Sequence, residues 1–179
     1  MPTSRTFCQT YFELLDLPVS FEIDLKKLNN HYKALQREMH PDRFVGRSEH
    51  EQRLSVQYAS FLNEALDTLK SPLKRAHYLL KLKGRDSNIE HYTIRDADYL
   101  MQQMQWRERL ESVHEESTPL PVIEKLESEV ETIFASQSEQ FKTAYEKGDL
   151  VTAEEMLHKM HFAHKLKQEL ASIYDQFDG

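Results

Sequence analysis

The chain has 179 residues, 39% of them apolar, with only 4 Gly and 6 Pro and a formal net charge of −7. That length holds one or two small domains, and a composition rich in Glu, Lys, Gln and Leu favours helix throughout. The net acidity argues against a dedicated nucleic-acid binder.

At the start of the chain there is no charged and apolar leader pattern, and nowhere is there an apolar run long enough to span a bilayer. The expectation is a soluble cytoplasmic protein that is not secreted and has no membrane partner. The single Cys8 excludes an internal disulfide and a multi-Cys zinc site, and it reads as a small apolar residue. Thr10 to Leu15 predicts a short apolar helix, ended by Asp16-Leu17-Pro18. Asp24 is a suitable N-cap for the next helix. Along that helix Leu25, Leu28, Tyr32, Leu35 and Met39 form one apolar seam. A different face carries Lys26, Lys33 and Arg37. Two readings of that basic face stand, a solvated surface or a docking surface for an acidic partner.

The helix then meets Met39-His40-Pro41-Asp42-Arg43-Phe44. Proline has no amide donor, fixes its own φ and drives His40 out of the α region, so a stiff turn is predicted. By themselves His40 and Asp42 could cap a helix, dock a partner or serve a hydrolase. Two residues so placed are not expected to bond each other, and no nucleophile is placed beside them. After a loop over 45–49, Leu54, Tyr58, Phe61, Leu62, Ala65 and Leu69 form a second stripe. The two helices predict an antiparallel hairpin. Ser71-Pro72 ends it and opens a further segment whose apolar side is Leu73, Ala76, His77, Leu79 and Leu80.

Gly84, Asp86, Ser87 and Asn88 mark a linker over 84–91. Beyond it the charge changes, with 9 Lys and Arg against 18 Asp and Glu over residues 92–179. Three helices are predicted there, over 93–115, 122–146 and up to Phe177, as an antiparallel bundle. The first has two apolar faces. Tyr99, Trp106, Leu110 and Val113 run to its end and suit the core. Ala97, Leu100, Met101 and Met104 stop where Gln105, Arg107 and Glu108 begin. That second patch suits either a partner site or packing on the N-terminal unit. On the last helix Phe162 falls opposite the Ala153, Leu157 and Met160 stripe, outside the core. His158, His161 and His164 do not share one face, so solvated or packed histidines are expected rather than a metal site.

These residues carry a resemblance. The His40-Pro41-Asp42 turn, followed by Leu62-Asn63-Glu64-Ala65-Leu66 and preceded by Tyr11-Phe12-Glu13-Leu14-Leu15-Asp16-Leu17-Pro18, resembles a J-domain. The run from Ser71 to Leu80, with Arg95-Asp96 and Tyr99-Leu100-Met101, is similar to the HscB type, a co-chaperone of iron–sulfur cluster assembly. The resemblance covers almost the whole chain. It implies an all-α protein, with a J-domain over 1–83 and a C-terminal three-helix bundle over 92–179. It implies a non-enzymatic protein that stimulates ATP hydrolysis by an HscA-type, DnaK-like chaperone through His40, Pro41, Asp42, Lys26, Lys33, Arg37 and Arg43. It further implies binding of an IscU-type scaffold through Leu100, Met101, Met104, Gln105, Arg107, Glu108 and Phe162, with no cofactor of its own. Gln105 stands where the family often has an acidic residue, and His161 where it can have a basic one. A general J-domain co-chaperone with other clients and a hydrolase are the alternatives.

Overall fold

The computed structural model describes residues 10–85 and 97–177. Cys8, Arg95, Asp96 and residues 86–91 of the expected linker lie outside them. The described residues form α1 (Tyr11–Leu14), α2 (Leu25–Met39), α3 (Glu49–Lys70), α4 (Pro72–Leu82), α5 (Ala97–Ser112), α6 (Pro119–Glu146) and α7 (Leu150–Phe177), and no strand is found among them. The chain divides into two compact units, Met1–Lys83 and Gly84–Gly179. No helix among the described residues is long and apolar enough to cross a membrane.

In the first unit each helix starts where a side chain satisfies its free amides. Thr10 and Glu13 form a capping box for α1, Asp24 accepts from the amides of Lys26 and Lys27, and Ser48 and Glu51 form a second box at α3. These amide bonds hold the Asp24 carboxyl below its ordinary range. The loop after the turn is therefore one residue shorter than expected, because Ser48 recruits Glu49 into α3. Ser48→Ala is expected to lower the stability of this unit by about 1 kcal/mol, measured as the denaturant midpoint; an unchanged midpoint would contradict the role of the cap.

The core beneath is closed by Phe12, Leu15, Leu28, Leu62, Leu69, Leu79 and Leu80, all within 1% exposure. Leu25 departs from the expected seam and is 48% exposed. It is the first residue of α2, before the helix has come alongside α3. Tyr78 ties α1 to α4: its hydroxyl accepts the Tyr11 amide at 3.0 Å and its ring stacks on that of Tyr11. Arg75 is buried, donating to the Leu69 carbonyl with its guanidinium over Phe21.

In the second unit α6 and α7, 28 residues each, form an antiparallel hairpin. Their turn is a Schellman motif, with Asp149 N–H donating to Ala144 and Gly148 N–H to Tyr145. Gly148 takes φ +76°, where a side chain would be strained. The expected start of α6 at Val122 moves forward to Pro119. Prolines are tolerated there because the first amides of a helix have no intrahelical acceptor. The helix α5 packs on this hairpin through Trp106 and Leu110, and Val113 follows in a short 3-10 turn; the three meet Ile123, Leu126, Val130, Ala163, Leu166 and Leu170.

Candidate functional site

Two surfaces gather the polar and exposed apolar residues. The first is the turn between α2 and α3. His40 ends α2 with φ −60° and ψ 130°, the extended backbone that a following proline imposes. Residues Pro41–Phe44 then make one 3-10 turn. The Asp42 amide donates to His40 Nδ1 at 3.3 Å, so the histidine caps the turn it precedes. Arg43 reaches back and donates to the Arg37 carbonyl at 3.0 Å, closing the C-terminus of α2. The turn is thus held from both sides by its own side chains.

The Asp42 carboxylate lies 3.5 Å from His40 Nδ1. This corrects the expectation that the two would stay apart: the 3-10 turn curls the carboxylate back toward the ring. With Nδ1 accepting the Asp42 amide, a neutral ring carries its proton on Nε2. Nδ1 is then unavailable as a base, and the turn is better suited to contact than to proton transfer. The side chains of His40 and Asp42 are 50% and 85% exposed. On α2, Lys26, Lys33 and Arg37 are all exposed, and none forms an ion pair among the described residues.

Beside the turn lies a groove of about 130 Å³ between α2 and α3. Gln36, Met39 and His40 form one wall, and Ala59, Leu62 and Asn63 the other. A chain of hydrogen bonds runs across it. Gln36 Nε2 donates to the Tyr32 hydroxyl at 3.0 Å, and that hydroxyl donates to Asn63 Oδ1 at 2.7 Å.

The second surface is the outer face of α5. Leu100, Met101 and Met104 are 46%, 60% and 70% exposed. Gln105, Arg107 and Glu108 are exposed beside them. Tyr99, Trp106, Leu110 and Val113 are buried, as the longer stripe implied. A shallow concavity of about 490 Å³, lined by Asp98, Tyr99, Met101, Gln102, Gln105 and Lys159, borders the apolar face. Lys159 lies over the Tyr99 ring at 5.0 Å and pairs with Glu155 at 3.1 Å. Phe162 corrects its expected position outside the core. It is half-buried against the bundle core and meets Tyr99 edge-on, with centroids 6.0 Å apart. Because α7 packs against both α5 and α6, its buried arc is wider than one stripe. His158 is buried at 6% exposure, and His161 and His164 are half-buried. Among the described residues no cluster of His, Cys, Asp or Glu is arranged to hold a metal ion.

Comparison with known proteins places the chain. Residues 95–171 match the family described as the HSCB C-terminal oligomerisation domain. The "Co-chaperone protein HscB homolog" of Aeromonas salmonicida is 39% identical over 165 residues, which cover 92% of this chain and 96% of that protein. The chain belongs to the HscB co-chaperone family. A Shewanella halifaxensis HscB homolog is 38% identical over 92% of this chain and 97% of its own length. Among solved structures, chaperone HscB from Vibrio cholerae has a TM-score of 0.87 at 37% identity, covering 94% of this chain and 99% of that one. Human co-chaperone protein HscB has a TM-score of 0.85 at 31% identity, covering 95% and 83%. The fold is therefore the all-α HscB fold, a J-domain and a C-terminal helical bundle.

Within that HscB fold, three residues bordering the two surfaces escaped the sequence reading. Gln36 and Asn63 face each other only when α2 lies on α3, and Lys159 reaches the concavity on α5 from α7. In a single-helix projection all three read as ordinary solvated positions.

Proposed function

We propose that the protein is an adaptor between a DnaK-like chaperone and its client. In this reading residues 1–83 are the J-domain, which engages an HscA-type chaperone and stimulates its ATP hydrolysis. Residues 92–179 present an IscU-type iron–sulfur scaffold to that chaperone, in the cytoplasm, during maturation of iron–sulfur proteins. The chemistry belongs to the partner ATPase, and the chain itself acts by binding.

The observation that carries the reading is the His40-Pro41-Asp42 turn, self-capped and with the Asp42 carboxylate 85% exposed, in a chain of the HscB family. A preorganised carboxylate can form a charge-assisted bond with an arginine of the chaperone, at little cost in conformational entropy on docking. On the other unit, Leu100, Met101 and Met104 make an apolar centre, with Gln105, Arg107 and Glu108 as its polar rim, and Phe162 on α7 is held edge-on against Tyr99. Titrating the purified protein into an HscA-type chaperone is expected to raise ATP turnover to a plateau; a flat titration would exclude the J-domain role.

The basic face of α2 supplies a second expectation. Attraction between Lys26, Lys33 and Arg37 and an acidic partner would act over roughly 10 Å at about 0.1 M salt but over only roughly 3 Å at about 1 M. Raising salt should therefore raise the half-saturating concentration while leaving the plateau unchanged. Arg37→Glu should do the same at low salt. A plateau that falls while half-saturation stays fixed would contradict the steering role.

A further inference from the structure

Among the described residues the methionines are Met39, Met101, Met104, Met156 and Met160. They differ widely in access to solvent. Met156 and Met160 are buried on α7, and Met39 is half-buried at the end of α2. Met101 and Met104 are each more than half exposed on the apolar face of α5. Three residues apart, they are neighbours on the helix surface. Leu100 supplies similar apolar bulk on the same face and has nothing to oxidise. What the two methionines add is a thioether, which an oxidant converts from an apolar group to a polar one.

The chemistry has few requirements. A sulfur lone pair attacks one oxygen of hydrogen peroxide. The S–O bond forms as the O–O bond breaks, and the departing hydroxide takes the proton of the transferred oxygen and leaves as water. The thioether loses two electrons and the peroxide gains them. The step needs peroxide to reach the sulfur, and exposure provides that access.

The surroundings tolerate the product. Met101 borders the concavity that Gln102, Gln105 and Lys159 also line. Gln102 and Gln105 are exposed amides that can donate to a sulfoxide oxygen, and water can donate to the one on Met104. In the free protein the oxidised side chains are therefore satisfied, and the core beneath them is untouched. In a complex the same oxygens enter the apolar centre of the interface. A strong acceptor buried there without a donor opposes binding. The modification thus separates the free protein from the bound one.

We propose that Met101 and Met104 form a peroxide-sensitive modification site, and that their sulfoxides release the IscU-type scaffold. Leu100 stays apolar, so oxidation weakens the surface without erasing it. Methionine sulfoxide reductases, one for each epimer at sulfur, reverse the change. The proposal rests on the scaffold reading of α5.

The test treats the full-length protein with hydrogen peroxide, removes the peroxide, and titrates the product calorimetrically with an untreated IscU-type scaffold. The wild type and Met101→Leu with Met104→Leu are each compared with their own untreated form. Peptide mass spectrometry locates the added oxygens, and thermal melting verifies the fold. Met101 and Met104 are expected to gain oxygen before Met156 and Met160; the reverse order would overturn the site. Treated wild type is expected to bind about tenfold or more weakly than untreated. The leucine variant should change by less than about twofold, having no thioether at either position. Reductase treatment should restore the wild type. An equal loss in the leucine variant would overturn the assignment to Met101 and Met104. Should that variant fail to bind at all, the reductases decide: affinity that does not return would overturn the site. Unchanged affinity with both sulfurs oxidised would overturn the release and leave the scaffold reading intact. A scaffold that does not bind untreated wild type would overturn both.

Discussion

Asp42→Asn should abolish stimulation of the chaperone's ATP turnover while leaving the protein folded. The substitution keeps the shape of the side chain and removes its charge. At 85% exposure the carboxylate contributes nothing to the core, and His40 Nδ1 lies 3.5 Å from it. The turn persists without it, because His40 caps through the Asp42 amide and Arg43 holds the end of α2, and neither contact uses the carboxylate. Stability should therefore stay within about 0.5 kcal/mol of the wild type. Against an arginine of the chaperone the effect is large. Losing one partner of a desolvated, hydrogen-bonded charge pair costs roughly 2–5 kcal/mol, because the other charge is left buried. Parallel ATPase titrations and denaturant melts of the two proteins check both halves. Stimulation that survives in Asp42→Asn would remove the turn from the mechanism.

The second large effect belongs to α5. Leu100→Ala with Met104→Ala should weaken scaffold binding by roughly two orders of magnitude, at about 1–2 kcal/mol for each apolar side chain no longer buried in the complex. These two residues are 46% and 70% exposed in the free protein, so truncating them costs little stability. Adding Phe162→Ala should weaken binding further but also destabilise the bundle, because that ring is packed against Tyr99 and the core. The double variant therefore isolates the surface, and the triple variant reports surface and support together. Calorimetric titration with an IscU-type scaffold measures the loss, and thermal melting separates it from unfolding. Unchanged affinity in the double variant would show that the scaffold binds elsewhere.

Most of the helical framework can be read in the sequence, because most of the helices carry one dominant apolar stripe and Thr10, Asp24, Ser48 and Ser71 cap α1 to α4. Tyr58, Leu62, Ala65 and Leu69 are all buried, whereas on α2 Leu28 is buried and Tyr32, Leu35 and Met39 are half-buried. The departures have local causes. Leu25 fits the period but stands at the helix entrance, where no neighbour covers it. Pro119 and Pro121 looked like a connector, yet they occupy helical positions that need no amide bond. Phe162 looked stranded because a wheel assumes one packing partner, whereas α7 has two.

The surfaces were less evenly legible. His40, Asp42 and the α5 patch declare themselves through composition, a stiff polar turn and an apolar face with no use in the core. The bond from Arg43 to the Arg37 carbonyl, the approach of Asp42 to His40 and the groove walled by Gln36 and Asn63 do not. Each depends on a backbone curl or on the register between helices, and neither leaves a periodic trace in one strand of text.

The central claim is that one chain joins the two partners, so that each surface acts at the high local concentration set by the other. Mixing variants tests it most directly. Asp42→Asn retains the scaffold surface, and Leu100→Ala with Met104→Ala retains the turn. ATP turnover of the chaperone is measured at limiting scaffold with the wild type, with each variant and with the two variants together. The account predicts that only the wild type gives scaffold-dependent stimulation and that the mixture does no better than the double variant alone. Full recovery in the mixture would contradict it, since the two surfaces would then act without being joined.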